Sequence, residues 1–449
     1  MQRYLRVLRQ RAYALLWGGA TVSSLGDGMT FVALVWLVLE RGGGAAEVGW
    51  LGAAYSAPVI IGGLAGGLVL DRFDPRKVLM IDNTIRGLVM ASVPIAAALG
   101  VLTLPHIFLA AATYGLLYMV SAAGMPTILP RLLSGDELIT ANAMESISWS
   151  IGGLVGPVLA GLLIAVIGAP TVLAFDALSY GVFVACLLGM GQLPALVRSA
   201  AGVSPGSGTP GVEGDAGPAE ASQAGSAPEA GLVTGTGSKP AGRGLGPAVR
   251  FILGTPAVLA ITLIYMTGNI GEGIFTVFAP IYVRDVLHGD AAVYGVVVSA
   301  FTGGALIGAV AVGALGWRWP LGRSIAAAVL AAGLVQGLLI FRPSLAPLVL
   351  VLVGIGLCSS CLTAWAQTIR MRLIPPELRG RVFAVLRTLM RGTPPLGSLL
   401  AGFLLAGGDI TWAVLVATVL NVVPGSIGLI HPSLGRAATG EAKAAPALA

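Results

Sequence analysis

The chain has 449 residues, of which 26 are Lys or Arg and 20 Asp or Glu, a net charge of +6; 56% of its residues are hydrophobic and only 10% are charged. Soluble domains carry about 25% charged residues, so this composition excludes a soluble enzyme or carrier, and a mean hydropathy of +0.89 points to a bilayer as the solvent. A basic excess this small, spread along the chain, gives no reason to expect nucleic-acid binding.

A hydrocarbon core of about 30 Å needs about 20 apolar residues per helix. Such runs fall at residues 14–38, 46–70, 78–99, 103–127, 142–166, 169–190, 256–282, 291–315, 323–341, 345–367, 383–406 and 411–431. They lack the two-residue alternation of a membrane barrel, so the predicted fold is an all-α membrane protein with twelve transmembrane helices. Residues 1–13 are basic, and the first run is too long for a secretory signal and lacks a convincing cleavage site, so it is read as a retained helix.

Basic residues stay on the cytoplasmic side. With the N-terminus inside, the inner segments take Arg3, Arg6, Arg9 and Arg11, then Arg72, Arg76 and Lys77, and so on to Arg436 and Lys443; only Arg41, Arg284 and Arg342 fall outside, and Arg86, Arg387 and Arg391 fall within spans. The expectation is a multi-pass protein of the plasma (inner) membrane with both termini cytoplasmic.

Residues 199–245 contain "SPGSGTPGVEGDAGPAEASQAGSAPEAG". This stretch has too few large apolar groups to offset its ordering entropy and reads as a disordered cytoplasmic linker. It separates a six-helix bundle at 1–198 from a second at 246–436, followed by a tail at 437–449. The halves echo each other: at an offset of 246, Gly62, Gly67, Arg72 and Lys77 fall on Gly308, Gly313, Arg318 and Arg323. Two pseudo-symmetric bundles of this kind place a substrate site at their interface near the midplane.

Between the second and third spans lies "GLVLDRFDPRK", Gly67 to Lys77. It resembles the signature loop of the major facilitator superfamily, with Asp74 in place of the usual Gly and Pro75 inserted before Arg76. That variant is similar to the branch of macrolide-efflux and enterobactin-exporter-like proteins. The resemblance implies a gating latch built on Gly67, Asp71, Arg72, Arg76 and Lys77. The three bases alone are better accounted for by positive-inside charge; Gly67 with Asp71 carries the latch reading, since an acidic residue adds nothing to topology. The copy "GALGWRWPLGR" in the second half has Trp317 where the Asp stands.

"GGLVGPVLAG" in the fifth span resembles the antiporter motif of drug–proton exchangers, matching at Gly152, Gly156, Pro157, Ala160 and Gly161, with Ala143 where the family has an earlier Gly. The alternative is ordinary close packing in a Gly-rich membrane protein.

Ionisable groups inside spans cost roughly 2.5–3.5 kcal/mol on insertion scales and face a cavity or a partner. Asp27 on the first span, Glu272 at the corresponding place on the seventh, and Asp176 on the sixth are the proton-coupling candidates. Asp82 and Arg86, four apart on one face, suit a structural pair; Glu145, Arg387 and Arg391 are further structural charges, the two arginines placed to reach Asp71 or Glu145 across the halves. Cys358 and Cys361 form a C-x-x-C in an apolar setting and read as packing. No P-loop or metal-binding cluster stands out.

The family resemblance implies a monomeric secondary transporter, not an enzyme, with no cofactor beyond the proton gradient. Its partners are protons, the lipid bilayer and an amphipathic small-molecule substrate, drug or macrolide-like. A siderophore exporter or nutrient uptake carrier of the same fold, and a non-transporting scaffold or permease partner of an ATPase, are the alternatives.

Overall fold

The computed structural model describes residues 2–191, 245–315, 320–375, 377–432 and 434. Apart from Leu245, the predicted linker lies outside the described residues, as do the predicted tail, Trp317 and Arg318. The first half comprises α1 (Gln2–Leu8), α2 (Arg11–Glu40), α3 (Ala45–Ser56), α4 (Pro58–Arg72), α5 (Pro75–Ala98), α6 (Leu104–Leu132), α7 (Gly135–Ile167) and α8 (Ala169–Gly189). The second comprises α9 (Gly246–Gly254), α10 (Pro256–Asp285), α11 (Ala291–Leu315), α12 (Leu321–Gly337), α13 (Leu345–Leu373), α14 (Arg379–Arg391), α15 (Pro394–Leu405) and α16 (Ile410–Ile430). The described residues contain no strand.

Ten of these helices are individually long and apolar enough to cross a membrane. The second and eleventh predicted spans are broken instead, into α3/α4 and α14/α15. Ala57 keeps helical angles, φ −66° and ψ −42°, before Pro58, whose ring removes a donor and crowds the preceding turn. In the other half, Gly392 and Thr393 precede Pro394 and Pro395. Each pair counts as one crossing, which gives twelve.

Both halves use one packing scheme. α2 packs on α7 and α8, α5 on α6 and α8, and α4 on α6; correspondingly α10 packs on α15 and α16, α12 on α13 and α16, and α11 on α13. The bundles join along two seams, α7 against α11 and α3 against α15. Small residues make this possible, because in lipid helices associate through close packing and have little hydrophobic drive. A Cβ on Gly49 would sit 2.8 Å from the Ser398 carbonyl, and Ser299 Oγ donates to the Leu154 carbonyl at 2.8 Å.

The two ends of the molecule differ. At the end remote from the α4–α5 turn, one apolar core runs through both bundles, from Val32–Leu39 and Leu51 to Phe278, Tyr294 and Leu405. At the opposite, basic end each bundle has its own: Tyr13, Leu79, Ile128 and Leu187 in the first, Ile261, Ile325, Trp365 and Ile369 in the second. α4 comes near α14 at mid-span, beside the two breaks, with Ile60 Cδ1 at 3.4 Å from a Cβ built on Gly392. The bundles are thus welded at one end and largely separate at the other.

Candidate functional site

Asp27 lies midway along α2 between two glycines. A Cβ on Gly26 would collide with the Asp176 carboxyl and the Ser179 hydroxyl of α8, and one on Gly28 with the Gly152 carbonyl of α7. The sequence Gly-Asp-Gly therefore draws two helices against α2 on either side of its one acidic group in mid-span.

Arg86 of α5 ties this region together. Its Nη1 lies 3.4 Å from Asp27 Oδ1, and its Nη2 lies 2.9 Å from Asp82 Oδ2. Ser121 Oγ of α6 donates to Asp82 Oδ2 at 2.7 Å, and Tyr180 of α8 donates to Asp27 Oδ1 at 2.5 Å. The guanidinium stacks over the Tyr180 ring at 4.6 Å, a favourable place for a cation. Asp176 accepts from Thr30 of α2 and, at 3.3 Å, from Ser179. Arg86 thus serves two carboxylates directly, while the third, Asp176, is held by hydroxyl groups beside them. Asp82 Oδ1 and Arg86 Nε have no hydrogen-bond partner. Asp82 and Arg86 are 2% exposed, Asp176 0% and Asp27 16%.

Asp27 is more open because it borders a cavity of about 50 Å³, lined also by Trp17, Tyr118, Met125, Glu145, Trp149 and Phe183. Trp17 on α2, Met125 on α6, Glu145 on α7 and Phe183 on α8 all lie on the basic-end side of Asp27 along their helices, so the cavity extends toward that end. An aromatic run follows the wall: Tyr55–Tyr114 at 4.9 Å, Tyr114–Tyr118 at 5.9 Å and Tyr118–Trp149 at 5.8 Å between centroids.

The other candidate residues lie around this site. Glu272 is exposed on α10, one turn from Thr276, whose methyl stands 3.6 Å from a Cβ built on Gly52 of α3; that face of α10 looks toward the first bundle. Arg387 and Arg391 are exposed on α14. In the α4–α5 turn, Arg72 and Lys77 are exposed, and the Asp71 side chain lies outside the described residues. Gly67 has nothing within 4 Å of a Cβ position; the close approach of α4 to α6 is made at Gly62 and Gly66.

Pro75 opens α5 at its first turn and Asp74 caps it, accepting from the Arg76 backbone N–H at 3.1 Å, an arrangement that suits both residue types. Arg76 then reaches the end of α8, donating to the Leu187 carbonyl at 2.7 Å and the Leu188 carbonyl at 3.1 Å. A cation on the last carbonyls of a helix stabilises it. Arg76→Ala is expected to cost about 1 kcal/mol, read as a small drop in the melting temperature of the purified protein with Arg76→Lys intermediate.

The glycines of the α7 motif divide their work. Gly152 and Gly156 face Ser24 and Gly28 of α2, whereas Gly161 faces Ala291 of α11 and the Pro157 carbonyl fills the space left by Gly295. One helix thus binds its own bundle on one face and the other bundle on the next. Thr30 and Ser121 emerge as site residues only through the fold; the local signal available was the pair of glycines flanking Asp27.

Twelve crossings in two like bundles joined at one end, with a cavity and buried acidic groups in the first of them, have the architecture of a membrane transporter. The chain belongs to the Major Facilitator Superfamily, whose family model matches residues 16–286 and again 261–431. It is 26% identical to the multidrug efflux pump Tap of Mycobacterium tuberculosis over 421 residues, covering 92% of this chain and 91% of that protein. Tap of Mycolicibacterium fortuitum gives 26% over 425 residues, 92% and 94%. Among solved structures, the nucleoside transporter NupG superposes with a TM-score of 0.69 at 12% identity over 93% of this chain and 99% of that one. A bacterial homologue of the iron transporter ferroportin, in an inward-facing state, gives 0.64 at 16% identity over 94% and 98%.

Proposed function

We propose that the protein exports amphipathic small molecules, drugs or macrolide-like compounds, across the plasma membrane in exchange for protons. The basic end faces the cytoplasm in this reading, so the conformation is open inward and sealed outward by the shared core. Substrate enters from the cytoplasm as a proton leaves; the bundles rock about the central site; the substrate is released outside and a proton returns. Likeness to multidrug efflux pumps over nine-tenths of both chains supports the substrate class.

The observation that carries the coupling is the place of Asp27. Of the three acids around Arg86 it is the one on the cavity wall, so there substrate and proton act on the same group. The unpartnered Asp82 Oδ1 and Arg86 Nε support a site with a second arrangement to move to. Glu272, facing the first bundle from α10, is the second coupling residue in this scheme, and Asp176 holds the cluster behind Asp27.

Everted membrane vesicles test this. A substrate-dependent dissipation of an imposed proton gradient, with substrate accumulating inside the vesicles, is expected for the wild type. Asp27→Asn is expected to fall to the level of vesicles lacking the protein while still binding substrate. Gradient-driven accumulation by both Asp27→Asn and Glu272→Gln would refute the assignment, and accumulation in right-side-out vesicles alone would make the protein an importer.

A further inference from the structure

Each bundle opens with a short helix that is not one of its six spans. In the second bundle this is α9, and Thr255, at φ −115° and ψ 92°, breaks the chain between it and α10. Ala248 and Ile252 of α9 are buried in one apolar cluster with Ile374, Val382 and Leu386, the last two on α14. The adjoining stripe is apolar too, yet nothing covers it: Leu245, the N-cap, is 57% exposed, Val249 41% and Leu253 63%. These residues stand four apart, so they share one face. Arg250 is exposed on the flank of that stripe. α1 repeats the pattern in the first bundle. It packs on α2 and α7 as α9 packs on α10 and α14, buries Val7, and leaves Tyr4, Leu5 and Arg6 exposed.

A helix with an apolar stripe and a flanking base, at the end of a membrane bundle, suits the boundary between headgroups and acyl chains. The charge around α9 is positive. Arg372 and Arg379 are exposed as well as Arg250, and the one acid between residues 370 and 391 is the exposed Glu377. Arg379 is also anchored, donating to the Ile374 carbonyl at 3.1 Å and the Met371 carbonyl at 3.0 Å at the end of α13. Anionic headgroups match such an excess of bases. We infer that α9, with Arg250, Arg372 and Arg379, is a docking surface for anionic phospholipids of the leaflet at the basic end, with Leu245, Val249 and Leu253 entering the acyl region. α9 rests on α14, the part of the broken eleventh span that runs from the basic end to the mid-span break. Lipid that holds α9 therefore holds the support of that part. The surface stands whatever the substrate and in whichever direction it is carried.

A fluorophore on the stripe tests this in the full chain. Val249→Cys is labelled with bimane after Cys186, Cys358 and Cys361 are replaced by Ala. The protein is placed in phosphatidylcholine nanodiscs carrying a minor fraction of phosphatidylglycerol with a doxyl quencher high on its acyl chain or, at the same fraction, of phosphatidylcholine labelled likewise. The phosphatidylglycerol probe is expected to quench severalfold better than the phosphatidylcholine probe, and aqueous iodide to quench little. Added salt should erode the preference, since it screens surface charge. Arg250→Gln is expected to reduce the preference by up to about fivefold, the scale of one base near an anionic surface, with phosphatidylcholine quenching unchanged. Arg250→Lys should keep most of it, which a purely structural role of the side chain would not. Leu253→Ser should weaken quenching by both lipids. Equal quenching by the two lipids at low salt would overturn the anionic preference. Strong quenching by iodide would put the stripe in water, and protection from iodide and both lipids would put a second copy or another part of the chain on it; either result would sink the inference.

Discussion

Arg86→Met is expected to be among the most damaging single substitutions in the chain. Removing one partner of a buried ion pair typically costs about 3–5 kcal/mol, because the other charge is left uncompensated. Here the guanidinium serves two carboxylates, accepts a ring face of Tyr180, and donates also to Asn83 at 3.3 Å and Ser121 at 2.5 Å. The variant should accumulate poorly, melt well below the wild type and transport nothing. Arg86→Lys should recover little, since one ammonium cannot span the positions that a planar fork reaches or stack on the ring in the same way.

A double variant separates charge burial from general damage. Asp82→Leu with Arg86→Met removes both members of the i, i+4 pair, and replacing a buried pair by apolar groups is often close to neutral. Asp27 keeps the Tyr180 hydroxyl and the cavity. The double variant is therefore expected to be clearly more stable than Arg86→Met alone, yet inactive, because Asp27 has lost its cation. Differential melting of wild type, both single variants and the double closes the cycle. A double no more stable than the arginine single would show that Asp82 and Arg86 do not stabilise each other, and the site described here would be wrong at its centre.

That cluster shows what a sequence can and cannot expose. Each acid and Arg86 is visible alone as a charged residue in an apolar run, and the spacing of Asp82 and Arg86 already suggests a pair. Their union with Asp27 and Asp176 is not visible, because the groups sit on three helices and up to 149 positions apart, from Asp27 to Asp176. Only helix packing brings them together, and its trace in the sequence is Gly26 and Gly28. The twelve crossings were legible because bilayer thickness sets their length. The breaks in the second and eleventh were not, since hydropathy counts Pro58 and Pro394 as ordinary members of an apolar run. Gly67 drew attention through a motif, whereas the contacts of α4 in this conformation fall at Gly62 and Gly66. The role of Arg76 as a cap on α8 was hidden for the same reason as the cluster: its acceptors are 111 and 112 residues away.

Gly156→Val should show how strictly the α2–α7 contact is set. A Cβ on Gly156 would lie 2.7 Å from Gly28 Cα and 2.8 Å from Gly28 C, and one on Gly152 would lie 2.5 Å from Ser24 Oγ. The obstacle at Gly156 is backbone, which cannot change rotamer. Overpacking of ordinary cores costs about 1–3 kcal/mol, and that is the lower end of what backbone-on-backbone contact predicts. Gly156→Ala should already be measurably less stable, and Gly156→Val should scarcely accumulate. The strain also reaches the site, because pushing α2 off α7 moves Asp27 between its flanking glycines. Gly67 supplies the contrast. With open space at its Cβ position, Gly67→Ala should melt no lower than the wild type, and alanine's higher helix propensity favours it by up to about 1 kcal/mol. If Gly67 serves the latch, its tight contact belongs to the opposite conformation, so Gly67→Val should slow transport with no loss of melting temperature. A Gly156→Val protein that purifies and melts like wild type would show that α2 and α7 do not touch as described. A Gly67→Val protein that transports normally would remove Gly67 from the latch and leave the α4–α5 turn with its topological charge and its caps.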